Sequence, residues 1–499
     1  FWLKPFGSSD PGSICAWHER AAAIARPMAS RAETQERGEA QRGVDERTAL
    51  LGAAGHQNAN ASGAASKGVP PVSWAIVMLV FLTSFANCLN QGDRAIMPLA
   101  VIPMGEESGW SMSESGWVLG SFSIGYIMSQ IPGGVLSTLL PSWLLLGTSV
   151  FAWSTFTAIT PLAYDYGLLP LLMSRYFMGV FEGFCLPTCI KILTDYVPSH
   201  ALSRAFSVLY VSGTAGVLAV TVVCPLLPDW PLMFYIPGAV GGAWCVAVVA
   251  FLAIVKVDVR EDLGQEALRH NRLREGGDPL TFSDTFATYA NLAKSPAVLA
   301  LCAAQFASNA MLWTLAFWIP TYLHEIFEVP LDSMGIVAWP LLCGGLGTVA
   351  SGQLADWALA EGHCSVLLLR RAATAFSLLV PAVCLSALWA APSLEVAIGI
   401  LCVSAFSHGT YSVGPLANHA DLTDEHAGFT FSVMNLFGTI PAITAGPLTA
   451  AVVEAAGGSG EGESWLPVFA SSAVLNVIGA LVYVTLSRAD RIDSECRAR

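Results

Sequence analysis

Charge is what this sequence has least of. Only 12% of its 499 residues are charged and 54% are hydrophobic, with a mean hydropathy of +0.57, whereas soluble globular chains carry roughly a quarter charged residues. That composition excludes a soluble enzyme. A formal net charge of −13 excludes a nucleic-acid partner, which needs a basic stripe against the phosphates. There is no Cys-x-x-Cys pair. Nine of the twelve cysteines lie inside apolar runs, where they read as small buried hydrophobes rather than a disulfide scaffold. His363 beside Cys364 has no partner cluster, so no metal site is expected. No Gly-x-x-x-x-Gly-Lys-Ser/Thr stretch occurs either, which removes a P-loop ATP-driven pump. No nucleophile, base and orienting group recur at plausible spacing, so neither enzyme chemistry nor a cofactor is expected.

What the chain does have is apolar length. Residues 1–72 are rich in Ala, Gly, Ser, Glu and Arg and read as a disordered cytosolic segment. A transit peptide is the alternative there, and Glu33, Glu36, Glu39, Asp45 and Glu46 among the arginines weigh against it. From Val72 onward twelve stretches approach the roughly 20 residues a membrane-spanning helix needs. Their approximate bounds are 73–100, 114–138, 142–162, 168–192, 203–226, 232–255, 297–324, 333–357, 365–390, 396–418, 428–452 and 466–487. The expected fold is therefore an all-α membrane protein of twelve transmembrane helices. A cytosolic loop over 256–296, with a short amphipathic helix over Ser283 to Lys294, divides it into halves at 73–255 and 297–487, and a cytosolic tail follows from 488.

Lys and Arg test this map independently. They gather in the N-terminal segment, at Arg204, in the central loop, at Arg370 and Arg371, and in the tail, while the six outer loops contain none. Such asymmetry predicts N-in, C-in topology.

Four ionisable residues remain inside the spans: Asp93 and Arg94 in the first, Arg175 and Glu182 in the fourth. Lys191 lies near a helix end and can snorkel to the interface. Ionised side chains near a helix centre cost about 2.5–3.5 kcal/mol each on insertion scales, so the four must pair or line water. Arg175 and Glu182 are two helical turns apart on one face with Gly179 between them, and Asn87 and Asn90 precede Arg94 at helical spacing. Two ion pairs retained for packing, one arginine to each carboxylate, is the structural alternative. The functional reading rests on neutrality: two carboxylates and two guanidiniums sum to zero, so an entering anion calls for an accompanying cation or proton.

At these residues the sequence resembles the anion:cation symporter branch of the major facilitator superfamily, which includes sialin and the vesicular glutamate, type-I phosphate and plastid phosphate transporters. The motifs are Asp93-Arg94 with Met97 to Met104, Gly120-Ser-Phe-Ser-Ile-Gly-Tyr126, Gln130-Ile-Pro-Gly-Gly134, Arg175-Tyr-Phe-Met-Gly179 with Glu182-Gly183, Pro187, Trp318-Ile-Pro-Thr-Tyr322, Gly352-Gln-Leu-Ala-Asp356, Asn418-His419-Ala-Asp421 and Asn435. The resemblance implies two six-helix halves rocking about a midplane site. It implies that Arg94 and Arg175 bind a small anionic substrate, with Tyr126, Asn309, Trp318 and Tyr322 completing the cavity. Asp93 and Glu182 would carry a coupling proton, sodium being the alternative, in a bilayer-embedded monomeric unit. Asn418 and His419 match the end of the tenth helix; His419 reads equally as an interfacial histidine, and His408 as packing.

Two departures stand out. The charged loop of the superfamily between the second and third helices is missing over Val135 to Trp143, and its gating motif survives only as Gly352 to Asp356 with Arg370 and Arg371. Leu119 replaces the second-helix histidine of some glutamate-transporting relatives, and Ser308 a seventh-helix arginine, which turns expectation away from a glutamate-type substrate. The expected activity is proton-coupled symport of phosphate, a carboxylate or a sugar acid. Its rivals are sodium-coupled phosphate transport, sugar-phosphate antiport, a channel-like conductance and a non-transporting anion sensor.

Overall fold

The computed structural model describes residues 73–255, 291–423 and 427–492. The expected N-terminal disorder, the central loop and its amphipathic helix up to residue 290, and the last seven residues lie outside the described residues. Among the described residues every long element is helical and no strand occurs. In the first half these are α1 (Trp74–Ser108), α2 (Met112–Leu139), α3 (Ser142–Asp165), α4 (Leu168–Glu182), α5 (Cys185–Tyr196), α6 (Ser199–Val223) and α7 (Leu232–Val255). The second half contains α8 (Pro296–Phe327), α9 (Ala338–Ala360), α10 (Val366–Leu388), α11 (Leu394–His408), α12 (Pro415–Leu422), α13 (Ala427–Ala455) and α14 (Gly462–Leu486).

Eleven stretches are long and apolar enough to cross a membrane, so the chain is a multi-pass membrane protein. The twelfth expected span is a 28-residue helix, α2, whose serines and glycines hold it below the others in apolarity. Two spans differ from expectation by being broken. The fourth divides into α4 and α5 at Gly183-Phe184, and the tenth into α11, a 3-10 turn over Gly409–Ser412, and α12. The first differs in length. Its apolar stripe fades near residue 100, yet α1 runs 35 residues, about 52 Å, until Gly109 at φ 64° ends it by donating its N–H to the Gly105 carbonyl. Turn chemistry, not hydropathy, sets that end. At once α2 begins, with a reciprocal cap between Ser111 and Glu114.

Helix association in lipid relies on close packing rather than the hydrophobic effect, and small residues make it possible. In the first half α1 packs on α6, α2 on α4, and α3 on α4 and α7; in the second, α8 packs on α13 and α14, α10 on α14 and α11, and α9 on α11. A Cβ on Gly216 would run into the Cys88 carbonyl and one on Gly347 into the Phe406 carbonyl, so those crossings require glycine.

The halves meet at one end. Glu454, near the end of α13, accepts hydrogen bonds from the Ser113 amide (2.9 Å) and hydroxyl (2.6 Å) in the first turn of α2. His324 Nε2 lies 3.1 Å from Glu106 Oε1. Between these contacts α2 and α13 approach so closely that a Cβ on Gly116 would stand 2.7 Å from the Gly446 carbonyl oxygen. The loops at this end carry no Lys or Arg, the pattern expected of the outer face. These contacts close the halves on each other at this end. Replacing Gly446 by leucine should prop the outer end open without disturbing either half. Spin labels at positions 165 and 395, on outer turns of opposite halves, should then move apart while thermal stability stays near wild type.

Candidate functional site

Asn90, Asp93 and Arg94 share one stretch of α1, and α4 brings Arg175 and Glu182 to face them. Asn90, Asp93, Arg175 and Glu182 are all buried. Close approach of α2 to α4 supports this placement: a Cβ on Gly179 would meet the Phe122 carbonyl and one on Gly125 the Tyr176 carbonyl. The small residues beside Arg175 thus admit a neighbouring helix.

The four charges do not form two equal pairs. Arg94 Nε donates to Glu182 Oε2 at 3.0 Å, with the arginine side chain 15% exposed and the carboxylate fully buried. Asn90 locks that pair from both sides: its Oδ1 accepts from Arg94 Nη2 at 2.9 Å, and its Nδ2 donates to the Glu182 carbonyl at 3.2 Å, where the helix breaks. The rings of Tyr126 and Phe122 cover the Arg94 guanidinium at 4.4 and 5.4 Å. Arg175, by contrast, makes no ion pair among the described residues. Its neighbours are the Met178 sulfur and the Phe122 face, and its Nε has no hydrogen-bond partner. Asp93 receives a long bond from the Thr157 hydroxyl, 3.5 Å from Oδ2. Glu182 Oε1 is also unpartnered. Two matched ion pairs kept for packing are therefore not what forms: one pair is closed, and the other two charges stay apart.

Arg94 opens onto a cavity of about 210 Å³ lined by Gln91, Pro98 and Thr221 from the first half and Trp313, Phe317 and Pro320 from the second. Access from both halves is what a rocking mechanism requires.

The remaining expected residues are placed as follows. Tyr126 joins the charged cluster. Asn309 lies on α8 one turn before Trp313 and donates to the Gln305 carbonyl at 2.9 Å. Trp318 and Tyr322 do not reach the cluster: Trp318 is buried against Trp465 and Tyr322 against Trp465 and Phe469, with Trp318 Nε1 bonded to the Ala445 carbonyl and the Tyr322 hydroxyl to the Leu388 carbonyl. Their polar tips are satisfied by backbone carbonyls, and Trp318 also borders a cavity of about 220 Å³ with Glu106, Ser115 and Thr321. Nor do the gating residues assemble around Asp356, which is exposed. Arg370 instead clamps Asp421 with two bonds of 2.8 and 3.3 Å and the Val413 carbonyl with a third, while Arg371 holds Ser487. Asn418 receives the Tyr483 hydroxyl and donates to the Arg488 carbonyl, joining the same anchor. His419 turns its Nδ1 to the Leu416 carbonyl at 2.7 Å.

Thr157, Gln91 and Trp313 escaped sequence reasoning, because a threonine, glutamine or tryptophan in a span carries no charge to mark it. Asn87 was marked but serves elsewhere, donating to the Leu209 carbonyl to tie α1 to α6.

With this geometry in view, the likenesses to other proteins can be weighed. The probable anion transporter 1, chloroplastic, of Oryza sativa subsp. japonica is 30% identical over 436 residues, covering 85% of this chain and 78% of its own length. The chloroplastic ascorbate transporter of Arabidopsis thaliana is 28% identical over 426 residues, covering 85% and 76%. A bacterial homologue of the human lysosomal transporter Spinster, solved inward-facing and unoccupied, superposes with a TM-score of 0.67 at 17% identity over 85% of this chain and 98% of its own. That likeness concerns the fold. Residues 80–443 match the family model of the Major Facilitator Superfamily. The chain belongs to the Major Facilitator Superfamily, with anion transporters of that superfamily among its relatives.

Proposed function

We propose that this protein is a secondary active transporter that carries a small anion, a phosphate, carboxylate or sugar acid, together with a proton by alternating access. One observation carries the reading: a buried arginine without a carboxylate partner, Arg175, stands beside a closed pair, Arg94 with Glu182. Arg175 offers an anion its guanidinium without first giving up an ion pair. Arg94 can then turn to the same anion, and Glu182, left without its counter-charge in a buried site, takes a proton in its place. Asp93, which among the described residues is hydrogen-bonded only by Thr157, is the second acid able to do so. With anion and proton both aboard, the site regains the neutrality it had when empty, and neutral sites cross a low-dielectric midplane at least cost. Relatives named for anion and ascorbate transport fit this class of cargo.

The test is counterflow in proteoliposomes against phosphate, ascorbate, glucuronate, sialate and glutamate, with and without a pH gradient. At least one anion should exchange without the gradient and accumulate with it. Ligand binding without flux would instead make the protein a sensor, and currents far above transporter turnover would make it a channel.

A further inference from the structure

The two broken spans share a plan. Both α4 and α11 have 15 residues, and each ends on a titratable side chain directly before a glycine, Glu182 before Gly183 and His408 before Gly409. Each is the fourth span of its half. Each terminal side chain is met by the first span of the same half: Glu182 by Arg94 on α1, and His408 by Ser308 on α8, whose Oγ lies 2.8 Å from Nε2.

From His408 a polar chain runs along α8. The imidazole lies flat on the Tyr411 ring, centroids 5.4 Å apart and planes 9° from parallel. Tyr411 donates its hydroxyl to Gln305 Oε1 at 2.7 Å, and Asn309 donates to the Gln305 carbonyl. One and two turns further along α8, Trp313 and Ala316 line the Arg94 cavity. The exposed side of α11 carries Val396, Val403 and Phe406. His408 projects from the opposite side, with the buried Ala397, Leu401 and Ser404, and is itself half-buried.

Charge makes this histidine distinctive. Beyond about six residues from either end, the spans of the second half contain no Asp, Glu, Lys or Arg; Asp356, Arg370 and Arg371 lie within those end turns. Around His408, the titratable groups of α8, α9, α10, α11 and the 3-10 turn include Cys302, Cys343, Asp356, Cys384, Cys402 and Tyr411, of which Tyr411 stacks on its ring. Asp356 is exposed, Arg370 is taken by Asp421, and Arg371 by Ser487. The last carbonyls of α11 favour a cation at its C-terminus. Ser308 Oγ can accept from a protonated ring as readily as it donates to a neutral one.

We propose that His408 is a second proton-binding site of the transport cycle, whose imidazolium gives the second half its one cationic contact to the anion held by Arg94 and Arg175. The proposal rests on the anion-symport reading above. It gives each half a titratable switch at the break of its fourth span, and the anion the reason for the halves to close on it.

The test compares wild type, H408Q, H408R and S308A in proteoliposomes, with radiolabelled phosphate and glucuronate in counterflow between about pH 5 and 8, where a histidine changes charge. Wild type should show an acid-stimulated limb. H408Q should lose it, H408R should stay at the acid-limit rate throughout, and S308A should displace its midpoint. A wild type without the limb, an H408Q profile superimposable on wild type, or an H408R that behaves like H408Q overturns the proposal. Should H408Q fail to reconstitute, the midpoint in S308A decides, since a packing role leaves it unmoved. Counterflow by wild type with an unaltered H408Q profile defeats the His408 assignment alone; no flux by wild type with any anion defeats the transport reading itself.

Discussion

Replacing Arg175 by alanine is expected to lower uptake of the transported anion by at least about a hundredfold while leaving thermal stability unchanged or raised. The two signs come from one fact. Arg175 is 2% exposed yet paired with no carboxylate among the described residues, so the folded protein bears the desolvation of a guanidinium and gets no ion pair in return. Removing half of a buried pair typically costs a fold 3–5 kcal/mol; removing an unpaired buried charge relieves a burden instead. Truncating a buried charge that meets an opposite charge on a ligand costs about 2–5 kcal/mol of binding, and each 1.4 kcal/mol is roughly tenfold. Arg175→Lys should fall between, since it keeps the charge and loses the planar fork. The measurement is initial uptake in proteoliposomes beside the melting temperature of the purified protein. Uptake at the wild-type rate would remove Arg175 from the site, and a large loss of stability would return it to a packing role.

Most of the scaffold can be read directly from the chain because a bilayer imposes one dominant rule, continuous apolar length, and hydropathy reports it without knowledge of packing. Where other physics decides, the reading fails. The end of α1 depends on the left-handed Gly109, and the breaks after Glu182 and His408 depend on how glycine and phenylalanine backbones pack, none of which alters hydropathy. The charged quartet is visible because intramembrane charge is costly enough to be an event. Its internal arrangement is not, since two arginines and two carboxylates allow several pairings and only the crossing of α1 and α4 selects Arg94 with Glu182. Aromatic partners are equally hidden: Trp318 and Tyr322 sit in recognisable motifs, but nothing in the motif shows that their indole and hydroxyl tips bond to backbone carbonyls.

Glu182→Gln should separate exchange from accumulation. The amide keeps the size of the carboxyl group and an oxygen for Arg94 Nε, so it reproduces the protonated acid and holds Arg94 only weakly. The anion can still bind Arg175 and recruit Arg94, and counterflow should persist within a few-fold of wild type. What the glutamine cannot do is release and rebind a proton in each cycle. For one proton carried per monoanion, a gradient of one pH unit supplies about 1.4 kcal/mol, roughly a tenfold accumulation at equilibrium. In Glu182→Gln that ratio should collapse to about one, with the inner and outer concentrations simply equalising. The position of the carboxylate makes it suited to the task. It is the last residue of α4, where the negative end of the helix dipole opposes a bare carboxylate, and Arg94 and Asn90 offset that cost until the anion draws Arg94 away. Accumulation that survives in Glu182→Gln with its pH dependence intact would show that the proton travels elsewhere, and Asp93→Asn, tested in parallel, would then identify whether the acid beside Thr157 carries it.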